Sequence, residues 1–211
     1  MILLVAFVLA QTRIASDFEL QQMQQQVGRA RDFTSQLSGH LNLGDLRIAR
    51  NEPALARAEY EKALTIASNE RTSARQAGDL TRYATATSYA ALTEAKLGDA
   101  ADAFALSEEA LRYTSDSAKT WNLYATTMTA LRMPAKAAAA ARNAVAIERD
   151  PLDSAIYRYT LASSLDGSPE SEQLLTDVIR SLRSPQFDEL RRQVANSESF
   201  EIYSSARGDV A

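Results

Sequence analysis

Three stretches of the chain repeat one spacing of small and apolar positions: Ala56, Tyr60 and Ala63, then Ala103, Ser107 and Ala110, then Ala137, Ala141 and Ala144. Residues at i, i+4 and i+7 share one face of an α-helix, so each set predicts a helix with a narrow, closely approachable stripe. Each is preceded by another apolar-periodic stretch carrying a pair at the matching place: Leu43-Gly44, Ala90-Ala91 and Tyr124-Ala125, with Trp121 one turn before the last. A bulky residue fills the space between two helices, while a small one lets their axes approach to roughly 8 to 10 Å. Asn51-Glu52-Pro53, Leu97-Gly98-Asp99 and Met133-Pro134 mark the turns. Gly98 suits a left-handed helix end, and Pro53 and Pro134 suit the first turn of the next helix.

The second and third sets are 34 residues apart at every member, whereas the first and second are 47 apart. About 13 extra residues therefore fall between Ser68 and Arg82, predicting longer flanking helices or a polar loop. A looser fourth unit follows Arg149-Asp150-Pro151: Tyr157, Leu161 and Leu165 on one helix, a turn at Asp166-Gly167-Ser168-Pro169, and Leu174, Leu175, Val178, Ile179 and Leu182 on the next. A helix from about Gln186, with Phe187, Leu190 and Val194, is expected to cover the open end, with Ile202 and Tyr203 sealing it and residues 207–211 as a tail.

On these repeats, residues 38–166 resemble the tetratricopeptide repeat family. The resemblance implies an all-α solenoid of antiparallel helix pairs, here expected over 38–206, whose first helices line a concave groove that receives a peptide or a partner's helix. Carried onto this chain, the groove would present Ser88, Leu92 and Ala95, then Lys119, Asn122, Thr126 and Thr129, then Arg158. Lys119, Asn122 and Arg158 carry hydrogen-bonding groups for a peptide carboxylate or backbone. Thr126 stands where the version of the family that captures acidic chain ends carries Asn, and Glu94 and Arg47 replace its usual large apolar residues. Taken singly, each groove residue also fits an ordinary polar helix face, and Tyr89, Tyr113 and Tyr124 fit packing better than binding.

The first ten residues, MILLVAFVLA, are unbroken apolar, with Ile2, Leu3, Leu4, Val5, Phe7, Val8 and Leu9 as the large members. As a helix they span about 15 Å, half of a bilayer's hydrocarbon core. Exposed to water, each large side chain would forgo roughly 1.5 to 3 kcal/mol, so burial in lipid, a partner or copies of the chain is expected. Ile14, Phe18, Val27, Ala30, Leu37 and Leu41 continue an amphipathic pattern around a glutamine-rich stretch, and no proline interrupts residues 1–37. One continuous helix of about 55 Å is the simplest prediction. Its shape resembles the N-terminal stalk of type IV pilins, although Val5 stands where pilins carry an acidic residue.

The net charge of −4, with acidic and basic residues interleaved, offers no face suited to nucleic acid. Without cysteine, thiol catalysis and Cys-bound zinc are excluded. His40 is the only histidine, and no phosphate loop, nucleophile elbow or metal-binding helix pattern is present, so neither enzyme activity, cofactor nor metal is expected. The resulting expectation is a non-enzymatic interaction or scaffold subunit of a cell-envelope assembly, tethered or in membrane contact through residues 1–10. A filament subunit self-associating through its N-terminal helix, and a secreted or periplasmic adaptor that loses residues 1–10 as a signal, are the alternatives.

Overall fold

The computed structural model describes residues 16–165 and 167–182. Over these the chain is all-α: α1 Asp17–Arg29, α2 Phe33–Ala49, α3 Pro53–Ala77, α4 Leu80–Leu97, α5 Ala100–Thr114, α6 Ala118–Ala130, α7 Pro134–Ile147, α8 Pro151–Ser164 and α9 Pro169–Leu182. Each helix packs on its successor, and α4 also meets α2 and α6, as α6 meets α8. Short turns reverse the chain each time, so α2, α4, α6 and α8 form an inner layer and α3, α5, α7 and α9 an outer one. This is a solenoid-like stack of antiparallel pairs.

The alanine stripes hold the pairs together. Ala56, Ala63, Ala103, Ala110, Ala137, Ala141 and Ala144 are at most 1% exposed, so each lets a facing helix reach backbone-close packing. At Gly44 the approach is closest, for a methyl group there would overlap the Tyr60 ring. That ring is held from its other end, where the Tyr60 hydroxyl donates to Asp45 at 2.6 Å. Lys96 on α4 reaches the same carboxylate at 2.6 and 2.7 Å, joining α2, α3 and α4.

The turns repeat one local device. Asn51, Gly98 and Arg132 all adopt left-handed backbone, and Gly98 and Arg132 are 34 residues apart. Pro53 and Pro134 begin α3 and α7, as their fixed backbone angle favours. The extra residues between the first and second alanine sets lengthen α3 to 25 residues, ending at the left-handed Gly78.

The single helix expected over residues 1–37 is not formed. Ser16 is extended and closes a reciprocal capping box with Glu19, which starts α1 there. Ala30 is also extended, and Asp32 accepts from the Ser35 N–H at 2.8 Å to start α2. Between its ends α1 buries Leu20 and Met23 against Leu43, with Val27 and Leu46 alongside. The cell-envelope placement is corrected with it: among the described residues no helix is long and apolar enough to cross a membrane. Phe18 lies on α1, 62% exposed, while Ile2, Leu3, Leu4, Val5, Phe7, Val8, Leu9 and Ile14, like the helix expected from Gln186, lie outside the described residues.

Gly44→Ala is expected to cost about 1 to 3 kcal/mol by overpacking against Tyr60, lowering the thermal midpoint. Gly28→Ala, where an added methyl meets nothing within 4 Å, is expected to stabilise by up to about 1 kcal/mol. Arg132→Gly, by relieving left-handed backbone, is expected to gain about 1 kcal/mol in urea unfolding.

Candidate peptide-binding groove

The direction of each inner helix follows from its packing. On α6, Tyr124 donates to Glu108 of α5 at 2.7 Å and joins Met128 in the core shared with α7. Helical residues step by 100°, so Lys119, Asn122, Thr126 and Thr129 lie on the opposite side, facing away from the outer layer. On α4, Thr87 receives the Arg71 Nε–H at 3.0 Å and Tyr83 donates to Glu109, placing those two toward α3 and α5. Leu92 falls on the side away from them, in the core with Leu37, Leu41 and Leu123, while Ser88 is turned 100° from Thr87. The 34-residue step carries Asn122 back to Ser88 and forward to Ile156, and Lys119 forward to Asp153. These residues thus recur at equivalent places on three inner helices.

Of the residues read from sequence, Ser88 and Leu92 are 3% and 6% exposed, and the Ser88 hydroxyl is spent on the Ala84 carbonyl at 2.9 Å. Thr126 is half-buried and donates to the Asn122 carbonyl at 2.9 Å, while exposed Thr129 donates to Ala125 at 3.0 Å. These three hydroxyl protons are therefore engaged within their own helices. Arg158 is half-buried on α8, one residue beyond Tyr157 and so turned by 100° from it.

Asn122 differs from its neighbours. It is 9% exposed, and its Oδ1 is buried and has no hydrogen-bond partner among the described residues. Around it the structure assembles residues that single-residue reading passed over. The Lys119 ammonium lies 5.6 Å from the Tyr89 ring centroid, a cation–π distance. Burial, with Asp32 nearby, pushes the Tyr89 phenol up to about 12. Lys119 is exposed as a whole residue, yet crowding at its ammonium desolvates it and lowers its pKa, against the pull of Asp153 and Asp32. Burial also raises the Asp153 carboxyl, with Glu148 and Asp150 adding to it, and raises the Tyr157 phenol beside it. Asp32, Tyr89, Lys119, Asp153 and Tyr157 form a row of polar tips across α2, α4, α6 and α8. It brings hydrogen-bond donors and acceptors of both charges together.

His40 bridges α2 and α3. Its Nδ1 meets Glu59 of α3 at 2.7 Å. Burial would raise the Glu59 carboxyl, but Lys62 and His40 outweigh it and hold it low.

No protein-family model matches the chain, and no curated protein matches it. Among solved structures, the crystal structure of BtubC (BKLC) from P. vanneervenii is similar with a TM-score of 0.45 and 18% identity, over 77% of this chain and 68% of that chain. A likeness at that level carries no argument about fold or function.

A buried carbonyl oxygen without a donor costs about 1 to 3 kcal/mol. Asn122→Leu, of similar volume, removes it and is expected to raise the thermal midpoint by about 2 to 4 °C per kcal/mol recovered. A midpoint that falls on calorimetry would show that Asn122 is satisfied in the folded protein.

Proposed function

We propose that this chain is a non-catalytic interaction module of tetratricopeptide type, holding an extended segment of a protein partner across α4, α6 and α8. The observation that carries the reading is the Asn122 side-chain oxygen, buried on the inner layer without a donor. Stability alone would favour an apolar residue at that place; an amide there is useful if a ligand's backbone N–H completes it. The flanking groups fit the same use. Lys119 offers donors, Asp153 accepts, and Tyr89 and Tyr157 supply rigid surface with hydroxyl tips.

Specificity on this reading comes from the sequence of side chains along these helices. Lys119 and Asp153 occupy equivalent places on successive helices with opposite charge, so a ligand carrying an acidic residue one helix spacing from a basic one is matched best.

Selection from a displayed library of short random peptides, followed by calorimetry on one binder, tests this. Asn122→Leu is expected to weaken binding about tenfold, the loss of one hydrogen bond of about 1.4 kcal/mol. Arg142→Ala, on the outer layer where Arg142 pairs with Glu170 at 2.9 Å, is expected to leave it unchanged. Binders indifferent to Asn122 but sensitive to the outer layer would overturn the assignment.

A further inference from the structure

Asp153 is half-buried on α8, yet its carboxylate accepts no hydrogen bond and makes no ion pair among the described residues. The carboxylates around it are engaged. Glu148 accepts from the Arg149 and Asp150 N–H groups at 2.7 Å, and Asp150 caps α8 by accepting from Leu152 and Asp153 at 2.9 and 3.0 Å. Asp32 caps α2 in the same way. The nearby cations are turned elsewhere. Lys119, at the equivalent place on α6, holds its ammonium against the Tyr89 ring of α4, and α6 packs between α4 and α8. Arg149 donates to the Ala146 and Glu148 carbonyls. Arg158 is turned about 140° from Asp153 around their helix.

A second acceptor without a donor stands beside this one. Asn122 lies one helical turn beyond Lys119 on the same side of α6, 9% exposed, with its Oδ1 buried and without a partner among the described residues. One helix spacing of about 10 Å separates its place from that of Asp153. The long side chain of a bound residue, meeting the side chains that face it, crosses such a gap. Tyr157, one turn beyond Asp153, adds an aromatic surface. Burial raises the Asp153 carboxyl and then, with Asp153, the Tyr157 phenol, and a cation arriving between them acts against both shifts.

We propose that the partner segment presents an arginine here, its backbone N–H on the Asn122 oxygen and its guanidinium on the Asp153 carboxylate, an inference that rests on the peptide-groove reading above. The planar fork of a guanidinium meets both oxygens of a carboxylate at once, and its face packs on an aromatic ring. A lysine ammonium, a point charge, does neither as well. The two acceptors thus divide the work: Asn122 holds main chain and Asp153 selects the side chain.

Displayed peptide libraries that differ only in a central residue fixed as arginine, lysine, leucine or glutamate test the assignment on the full chain. The arginine library is expected to enrich most strongly. By calorimetry on one selected peptide, Asp153→Asn is expected to weaken binding about tenfold, and to change the affinity of the same peptide with leucine for arginine by less than about twofold. Asp153→Ser repeats the measurement should Asp153→Asn fail to fold. A lysine, leucine or glutamate library that enriches as strongly as the arginine one, or equal weakening of both peptides by Asp153→Asn, would overturn the proposal. Peptides that lose affinity with Asn122→Leu but ignore Asp153 remove the arginine and leave the groove reading standing. No peptide from any library removes both.

Discussion

Everything in this molecule depends on how closely one helix can lie against the next. The facing stripes of α3, α5 and α7 are alanine at nearly every contact, and such helices gain little from any single side chain. They gain instead from many backbone-close contacts along their length, each small, all lost together if the axes move apart. Gly44 shows how tight the fit becomes: the ring of Tyr60 fills the place of a side chain the glycine does not have. Asp45 then holds that ring's hydroxyl and the Lys96 ammonium, so one half-buried charged pair ties three helices together.

Tyr124, Met128 and Thr87 make the contacts to the outer helices, while Leu92 and Leu123 join α4 and α6 to the rest of the inner layer. The inner helices also accommodate a composition the core would reject: an amide without a donor, a lysine over a phenol, a carboxylate pushed toward its neutral form. Polar groups held this way are destabilising, and such places are where binding surfaces are found.

Much of this was legible in the residues and some was not. The alanine stripes, Gly98, Pro53 and Pro134 announced helix pairs because each acts locally, through backbone angle or side-chain size. The break before α1 was also written in the chain, as Ser16 with Glu19 three residues on, but a search for proline alone passes over a capping signal. The placement of the inner-layer residues was partly legible. Lys119 and Asn122 follow from helical spacing, and translating Lys119 by 34 residues would have found Asp153, whereas Arg158 lies off that register. Tyr89 and His40 were not legible. The lysine over Tyr89 and the carboxylate at His40 come from other helices, and which side chains meet across a layer depends on rotamers and helix offsets that no spacing encodes.

The length of α3 sets the order in which the molecule comes apart. In a stack where each pair touches only its neighbours, the ends peel first and loosening travels inward one unit at a time. Here the additional turns of α3 carry Arg71 to Thr87 on α4 and to Glu109 on α5, and Glu70 to Arg82 on α4. Those links cross three helices near the middle of the array and fasten two units into one. Fraying from either end therefore meets a barrier at α3, and the helices around it behave as one block that is kept or lost whole.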